Sequence, residues 1–252
     1  MHHVISLYDF TGESVKPWAK LGYKCFCYDI AHKQSPLAVI GQTLEPADFE
    51  AFPNGGIIFY IHADLHDPAT LRAIERRHKG QAAFMSAFPV CTDLAVSGAR
   101  HFESKRKANP NFQETAAIHA IFCGILGDNL NCPYYIENPV SVLSTIWRKP
   151  DHTYQPFEYG GYIPTSESEH PSFPDYIPPR DSYSKKTCLW TGGGFKMPKR
   201  KPVECESFGK SQAYKKLGGK SAKTKTIRSA TPRGFANAVC QFNQPNPAII
   251  AA

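Results

Sequence analysis

The sequence predicts an α/β protein built on a mostly parallel sheet with helices on both faces. Short apolar runs alternate with helical segments over residues 3–139, and glycine, proline and capping residues separate them. The chain of 252 residues is long enough to bury a full core. Its 42% hydrophobic and 20% charged residues are typical of a globular protein, and no run of about 18 apolar residues predicts a membrane span.

The first part of the chain predicts a strand, a turn, a short helix and a second strand. Residues 3–10 form one apolar run and residues 23–30 form another. Between them, Pro17 is acceptable in the first turn of a helix, and Gly22 can end that helix in a left-handed conformation. This arrangement is the opening unit of an α/β fold.

The same kinds of pattern continue downstream. Apolar runs predict three further strands, at 55–65, 81–89 and 132–139. Helical patterns predict three further helices, at 67–78, at 109–126 and from Pro232 onward. Asp67 is expected to cap the first of these helices, with Pro68 at its first position.

The composition changes after about residue 148. Residues 150–184 are rich in proline, serine, tyrosine and acidic residues, so we expect a small irregular lobe there. Three regions are predicted: a core at 1–149, a loop-rich and basic region at 150–227, and a segment at 228–252 that returns to the core.

Charge is distributed unevenly along the chain. Residues 185–252 carry fourteen Lys or Arg and two acidic residues, a net charge of +12, whereas the whole chain carries +7. Residues 1–184 therefore carry about −5. A basic C-terminal quarter is typical of a surface that binds a polyanion, because each phosphate that is neutralised releases counterions. A solvated basic tail accounts for the same charge equally well.

The eight cysteines are expected to be reduced. The first residues lack the basic-then-apolar pattern of a secretory signal, so we expect a cytoplasmic protein without disulfides. Cys25 and Cys27 share one face of a predicted strand, but no second Cys/His pair with zinc-like spacing lies beside them. We therefore expect two packed thiols and no metal ion.

Polar features follow several of the predicted strands. Ligands of parallel α/β sheets bind at the carboxyl ends of the strands, and the turn at 8–14, Asp29 and Asp64 fall at such ends. A glycine turn lets a ligand approach the backbone, and an acid after the second strand can bind the two hydroxyls of a ribose. The ordered set predicts a nucleoside-bearing cofactor on this half of the sheet, although each feature alone is more often structural.

Cys91 and Glu137 form a second set of candidates. A thiolate at a strand end is a nucleophile if its pKa is lowered, and a protonated carboxyl group can donate to a ring nitrogen. Together they suit conjugate addition to a pyrimidine at C6. Taken singly, such a pair is more often a buried cysteine and a capping glutamate.

The order of these features resembles the DNA cytosine-5 methyltransferases, especially the short phage- and prophage-type members. The stretch SLYDFTGESVKPWAKLGYKCFCYDI resembles the family's first motif, Phe-x-Gly-x-Gly followed by an acid on the next strand. Near the C-terminus, FANAVCQF resembles its Gly-Asn-Ser/Ala-Val motif. The resemblance implies a Rossmann-like methyltransferase fold that binds S-adenosylmethionine. The residues that it implies at the cofactor are Tyr8, Asp9, Thr11, Gly12, Asp29, Asp64 and Asn237.

The second half of the resemblance concerns the substrate. FPVCTDLAVSG resembles the family's Pro-Cys-Gln-x-Phe-Ser-x-Ser/Ala-Gly loop, with a valine before the cysteine, and IENP resembles its Glu-Asn-Val motif. By this resemblance, Cys91 adds to C6 of cytosine and Glu137 holds N3 of the base. Ser97, Gly98 and Asn138 are then implied at the substrate.

The basic C-terminal part is the candidate DNA-binding surface. No segment is large enough for the family's usual target-recognition domain, so residues 150–227 are expected to serve that purpose with short or relaxed specificity. Trp190 and Phe195 are expected to stack on bases, and residues 192–194 to let the backbone approach DNA; a solubilising flap is the alternative. The candidate contact residues are Arg180, Lys185, Lys186, Lys199 and Arg200.

The resemblance implies transfer of a methyl group from S-adenosylmethionine to C5 of cytosine in DNA, through a covalent cysteine adduct at C6. We expect a monomer in the cytoplasm of a bacterial or phage-infected cell. One alternative is an enzyme that modifies C5 of a free pyrimidine nucleotide, which the basic C-terminal quarter disfavours. Another is a catalytically inactive, DNA-binding relative of the fold.

Overall fold

The structure is a computed structural model that describes residues 2–37, 44–205 and 221–245. In these parts the strands are β1 (His3–Leu7), β2 (Lys24–Asp29), β3 (Asp48–Ala51), β4 (Ile57–His62), β5 (Ala82–Ala87), β6 (Tyr134–Pro139), β7 (His152–Tyr154) and β8 (Thr187–Gly192). The α-helices are α1 (Lys16–Ala19), α2 (Pro68–His78), α3 (Phe102–Ala108), α4 (Phe112–Leu130), α5 (Leu143–Ile146), α6 (Ala222–Ser229) and α7 (Arg233–Asn243). Short 3₁₀ helices include Val96–His101, Pro156–Tyr162 and Pro179–Asp181.

The eight strands form one sheet, in the order β3-β4-β2-β1-β5-β6-β8-β7. The five strands from β4 to β6 run parallel to one another. Strand β3 is antiparallel to β4 at one edge, and β8 is antiparallel to both β6 and β7 near the other. The chain therefore has a mixed α/β fold with a mostly parallel sheet, compatible with a Rossmann-like fold, as the sequence predicted.

The order of the strands reverses between β1 and β5. From β1 the chain moves through β2 to β4 on one side, then crosses back to β5 and β6 on the other. In an open parallel sheet, such a switch point leaves a crevice outside the carboxyl ends of the two strands. The ends of β1 at Leu7 and of β5 at Ala87 therefore mark the edge where a ligand is expected, hereafter the carboxyl edge.

Helices cover both faces of the sheet. Ile5 and Leu7 pack on the face covered by α2 and α4, whereas Val4 packs on the face covered by α1 and α7. This alternation follows from the period of two residues in a strand. Trp18 of α1 and Phe235 of α7 are fully buried in the second core. None of the helices in the described parts of the chain combines the length and the hydrophobicity needed to cross a bilayer.

Most of the elements predicted from the sequence are confirmed. The predicted strands at 3–10, 23–30, 55–65, 81–89 and 132–139 correspond to β1, β2, β4, β5 and β6. Asp67 caps α2 by accepting a hydrogen bond from the Ala69 backbone N at 2.8 Å. Gly22 adopts a φ of 92°, although α1 itself has only four residues. The predicted helix at 109–126 is α4, which continues to Leu130, and the one from Pro232 is α7.

The C-terminal half is more ordered than the sequence suggested. Strands β7 and β8 continue the sheet across the predicted boundary at residue 149, because β8 pairs with β6. Helix α6 lies in a stretch expected to be flexible, and Ser221 caps it by accepting from the Thr224 backbone N at 3.2 Å. Residues 206–220 of the predicted basic region and residues 246–252 of the final segment lie outside the described residues.

Candidate active site

The turn after β1 is organised by a buried carboxylate. Asp9 is 4% exposed and accepts hydrogen bonds from Gly12 N at 2.8 Å, Ser14 Oγ at 2.6 Å and Ser6 Oγ at 2.9 Å. The Ser6 hydroxyl also lies 3.0 Å from the Ser86 hydroxyl, which joins the turn to β5. These hydrogen bonds occupy both carboxylate oxygens of Asp9. The role of Asp9 is therefore to shape the turn, and its predicted direct contact with a cofactor is corrected accordingly.

Gly12 brings the backbone of this turn close to β4. It has a φ of +68°, and a Cβ atom at this position would lie 2.8 Å from the Tyr60 hydroxyl oxygen. That hydroxyl donates to Glu50 Oε2 at 3.2 Å. The Thr11 hydroxyl donates to Asp9 Oδ1 at 3.1 Å, and this hydrogen bond also stabilises the turn. Glycine is therefore required here both for its backbone conformation and for the close approach.

Three of the predicted cofactor residues lie on this edge. Tyr8 has a φ of 58°, and its hydroxyl donates to the Leu65 carbonyl at 3.2 Å. Asp29 ends β2 and accepts from the Ala31 backbone N at 2.8 Å; burial raises the pKa of its carboxyl. Asp64 follows β4 and is exposed. The strand order brings these side chains to neighbouring positions, since β2 lies between β1 and β4.

An aromatic wall that sequence analysis missed stands beside Asp29. The Phe10 ring stacks on the His32 ring with centroids 5.4 Å apart, and His32 meets Tyr60 edge-on at 5.2 Å. Burial lowers the pKa of His32, whose Nε2 has no hydrogen-bond partner among the described residues. Phe10 is 44% exposed, so the wall offers a flat apolar surface to a ligand. The three rings come from separate segments, which explains why no local pattern revealed them.

Asn237 lies on the other side of the turn. It belongs to α7 and donates from Nδ2 to the Tyr162 carbonyl at 3.1 Å. It lines a cavity of about 310 Å³ between α1 and α7, together with Glu13 and Lys16. The structure thus brings Asn237 to the residues that directly follow Gly12, and not to Asp29 or Asp64.

Cys91 lies on a loop that is fastened to the segment after β6. Its carbonyl accepts from Leu94 N at 3.0 Å and from Ala95 N at 2.9 Å. Val96 N donates to the Val140 carbonyl at 3.1 Å, and Val140 belongs to the segment that follows β6. The predicted Ser-Gly turn is a 3₁₀ helix, Val96–His101, in which Ser97 is exposed. Gly98 has ordinary space for a Cβ atom, 3.7 Å from the nearest atom, so this position does not require glycine.

Glu137 and Asn138 are consecutive residues of β6, and their side chains have different surroundings. Asn138 is 1% exposed and donates from Nδ2 to the Pro89 carbonyl at 3.3 Å. Its predicted contact with DNA is corrected accordingly, because the side chain is enclosed and holds the Cys91 loop. Glu137 is 8% exposed, and no hydrogen bond to its carboxyl group occurs among the described residues.

The electrostatics of Cys91 differ from the predicted activated thiol. Burial raises the pKa of Cys91, the Glu137 carboxylate raises it further, and the Lys185 ammonium lowers it. The isolated protein therefore holds Cys91 as a thiol. The strand pairing places Cys91, Glu137 and Lys185 at the carboxyl edge, and we refer to these three residues as the cluster.

Lys185 reaches this cluster because of the direction of β8. The antiparallel pairing sets Thr187, at the start of β8, opposite Pro139, at the end of β6. Residues just before Thr187 therefore lie at the carboxyl edge, and Lys185 Nζ donates to the Arg228 carbonyl at 3.3 Å. Lys186 beside it is exposed.

The remaining predicted DNA contacts make bonds within the protein. Arg180 donates from Nε to the Gly160 carbonyl at 3.3 Å, and its own φ is 52°. Arg200 lies 3.4 Å from Glu158, while the Lys199 carbonyl accepts from the Tyr162 hydroxyl at 2.7 Å.

The structure places the predicted aromatic and glycine contacts with DNA away from Cys91, and it encloses Trp190. Trp190 is fully buried and donates from Nε1 to the Arg148 carbonyl at 2.7 Å, and Phe195 packs against the second core. A Cβ atom on Gly193 would lie 1.8 Å from the Cys132 carbonyl oxygen, which precedes β6. Because β8 runs antiparallel to β6, residues 192–194 lie at the opposite edge of the sheet from Cys91.

The fold and the site define an α/β protein with a switch point in its mostly parallel sheet and with Cys91, Glu137 and Lys185 at the carboxyl edge beside it. No model of a known protein family matches the chain, and no curated protein matches it.

Proposed function

We propose that the protein transfers a methyl group from S-adenosylmethionine to C5 of cytosine in DNA. The observation that carries this proposal is the pairing of Cys91 with Glu137 at the carboxyl ends of adjacent parallel strands, with Lys185 beside them. A nucleophile next to an acid whose carboxyl group is free to bind a ring nitrogen is the arrangement that addition to C6 of a pyrimidine requires.

The residues at the carboxyl edge fit the cofactor. The Phe10–His32 stack offers a flat apolar surface for adenine, and Asp29 offers a carboxylate for ribose hydroxyls. Gly12 lets the turn after β1 pack closely against Tyr60 of the same wall, since a Cβ atom at this position would lie 2.8 Å from the Tyr60 hydroxyl oxygen. When bound, S-adenosylmethionine supplies an electrophilic methyl group and leaves as S-adenosylhomocysteine.

The reaction requires Cys91 to lose a proton that the isolated protein retains. We propose that this proton passes through water to the Glu137 carboxylate when the base enters, because Glu137 then binds N3 as a neutral acid and ceases to repel the thiolate. Lys185 favours the thiolate in both states. The acid and the lysine thus activate the cysteine only when substrate is present.

The Sγ–C6 bond forms as the C5–C6 double bond of cytosine opens, and the electrons of that double bond are delocalised toward N3, where Glu137 donates its proton. C5 then forms its bond to the methyl group as the bond between that methyl group and sulfur breaks, and N3 returns its proton to Glu137. Water then removes the C5 proton, the C5–C6 double bond returns, and the C6–Sγ bond breaks to release Cys91 as thiolate. A base inside a duplex cannot be reached from above its ring, so the target must leave the stack, at a cost of a few kcal/mol.

Lys186 supports DNA as the substrate. It is exposed at the carboxyl edge, next to Lys185, and an exposed ammonium group there can bind a phosphate of the DNA backbone. Lys186→Ala should weaken duplex binding and reduce its salt dependence by about one counterion, whereas Lys79→Ala, at the end of α2, should leave both unchanged.

The test is methyl transfer from labelled S-adenosylmethionine to duplex DNA and, separately, to dCMP. Transfer to DNA alone supports the proposal, and transfer to dCMP alone supports the nucleotide-modifying alternative. Glu137→Gln should reduce the rate by about 10² to 10⁴-fold, because it removes a positioned acid. Glu114→Gln, on the exposed face of α4, is the matched control. Absence of transfer to either substrate would identify an inactive relative.

A further inference from the structure

Helix α4 is apolar on both of its faces. Its inner face packs on the sheet through buried residues that include Ala120, Cys123 and Leu126. Its outer face carries Ile118 and Ile125, which are 42% and 49% exposed. A helix that covers a sheet normally turns polar residues to solvent, and a helix that is apolar all round is normally buried. The described parts of the chain therefore leave the outer face of α4 without a cover.

The apolar residues of the outer face follow one line along the helix. Ile118 is followed by apolar residues three, four and seven positions later, which are Ile121, Phe122 and Ile125. Ile121 and Phe122 are half-buried. Residues with this spacing lie on one side of an α-helix and form the surface by which two helices pack together. We call these four residues the α4 stripe.

A cavity of about 220 Å³ opens beside the α4 stripe, between α4 and α2. Leu71 of α2 and Phe122, Ile125 and Leu126 of α4 form its apolar wall. A recess of this size and lining can receive an aliphatic side chain. One surface of the protein thus offers a projecting side chain, Ile118, and a recess for such a side chain one to two turns further along α4.

The α4 stripe is complementary to itself when two copies of the helix lie antiparallel. With a two-fold axis between Ile121 and Phe122, Ile118 faces Ile125 of the partner subunit. Each subunit then inserts its own Ile118 and receives the partner's Ile118 in its cavity, so that one contact fills both cavities. Closed two-fold interfaces use the same surface patch on both subunits in this way.

The charges around the α4 stripe favour the antiparallel direction. Glu114 is exposed one turn before Ile118, and Arg72 lines the cavity at the other end of the stripe. Neither side chain forms an ion pair among the described residues. In the antiparallel arrangement the acidic end of one stripe lies over the basic end of the other, whereas a parallel arrangement would bring the two acidic ends together.

We propose that the protein forms a two-fold dimer through the α4 stripe, with the two copies of α4 antiparallel and Ile118 of each subunit in the cavity of the other. The dimer differs from the monomer that the sequence suggested. The inference does not depend on the proposed methyl transfer, because no residue of the α4 stripe belongs to the candidate active site.

The mass in solution tests the dimer. Sedimentation equilibrium of the full chain, from about 1 to about 200 μM, should show a change from one 28.0 kDa subunit to two. Ile118→Asp should weaken association by about 100-fold or more, because it would bury a carboxylate in an apolar recess. Phe49→Asp, at a side chain of β3 that is 63% exposed, is the matched control and should associate like the wild type.

Cross-linking tests the direction of the two helices. A mixture of the Ile118→Cys and Ile125→Cys proteins should form disulfide-linked dimers under mild oxidation, because these two positions face each other. Ile118→Cys alone should not, since seven residues of helix separate position 118 from its symmetry copy by about 10 Å, too far for a disulfide. The unsubstituted chain measures the background from its own cysteines.

Charge reversal tests the electrostatic part of the contact. Arg72→Glu sets two acidic side chains near each other in both halves of the dimer and should weaken association about 10-fold. Addition of Glu114→Arg to the same chain should restore most of the affinity, because the pair forms again with its signs exchanged. A double variant that associates no better than Arg72→Glu would contradict the antiparallel pairing.

The remaining outcomes overturn the proposal directly. The mass of one subunit at every concentration would leave the α4 stripe to a different protein. Association of Ile118→Asp at the wild-type strength, or its loss in Phe49→Asp, would show that another surface carries the dimer. Cross-links formed by Ile118→Cys alone would show that the two helices are not arranged as proposed.

Discussion

Asn138, the residue after Glu137, donates from its side-chain amide to the carbonyl of Pro89, two residues before Cys91, across 3.3 Å. This bond fastens the loop that carries the candidate nucleophile to the strand that carries the candidate acid. A second connection, from Val142 N to the Leu94 carbonyl at 3.0 Å, completes the attachment. The distance between Sγ and the carboxyl group is therefore set by hydrogen bonds outside both side chains.

Asn138→Ala is expected to uncouple the two residues with a small effect on folding. Loss of the hydrogen bond should cost about 1 kcal/mol of unfolding free energy, while methyl transfer should fall by 10-fold or more because the nucleophile is no longer positioned. Urea unfolding and the maximal rate of transfer measure the two effects. A variant that keeps the wild-type rate would show that the bond has no positioning role.

The reactivity of Cys91 toward iodoacetamide should depend on both of its charged neighbours. Glu137→Gln removes a charge that raises the pKa of the thiol, so alkylation should shift to lower pH. Lys185→Met should shift it to higher pH, because the ammonium lowers that pKa. Mass spectrometry of the Cys91 peptide across pH 7 to about 10 measures both shifts. Glu103→Gln, distant on α3, serves as the control, and identical profiles in all variants would contradict the cluster.

Gly12→Ala should be more damaging than substitution of another glycine with the same backbone conformation. Gly80 has a φ of +76° with nothing near its missing Cβ, so Gly80→Ala isolates the cost of the left-handed conformation, about 1–2 kcal/mol. Gly12→Ala adds the contact with Tyr60 and should also abolish binding of S-adenosylhomocysteine. Thermal unfolding and calorimetry check the two parts, and equal effects at both positions would refute the close-approach argument.

Acid should destabilise the protein through His78. This side chain is fully buried between the Tyr28 hydroxyl, 2.7 Å from Nε2, and the His3 ring, 2.9 Å from Nδ1. Burial lowers the pKa of His78 to about 3, so below pH 6.5 the unfolded chain binds a proton that the folded chain does not. Stability is therefore complete above about pH 6.5 and is lost as the pH falls.

The size of this effect can be measured by urea unfolding at pH 7 and pH 5. His78 should account for a loss of about 2 kcal/mol over that interval. His78→Gln, which keeps hydrogen-bonding atoms but does not titrate, should lose correspondingly less. His101→Gln, on an exposed residue, should retain the wild-type difference. A His78→Gln variant with the full loss would show that other groups cause it.

The five parallel strands could be predicted because each is a local apolar run between turn residues. Strand β8 could not, because its six residues lie among lysines and glycines, and its antiparallel insertion beside β6 is a property of the whole sheet. The burial of Trp190 follows from that insertion. The edge strand β3, Asp48–Ala51, has only four residues and is largely exposed, so its alternation of polar and apolar residues is too short to predict a strand.

The sequence likewise predicts one part of the candidate site and misses another. Cys91, Glu137 and Asp29 were placed at one edge because the carboxyl ends of parallel strands meet there. The enclosure of Asp9 and Asn138 depends on partners from other segments, which the residue types do not disclose. The proximity of Lys185 to Cys91 likewise arises only when β8 pairs with β6.

The most direct test of the proposed chemistry is covalent trapping with duplex DNA that contains 5-fluorocytosine, in the presence of S-adenosylmethionine. Fluorine at C5 cannot be removed as a proton, so a Cys91–C6 bond that forms should persist and survive denaturing electrophoresis. We predict a stable protein–DNA complex with the wild type and none with Cys91→Ser, while both proteins bind S-adenosylhomocysteine. Absence of a complex with cofactor-binding wild-type protein, or its formation by Cys91→Ser, would contradict the role of Cys91 as the nucleophile.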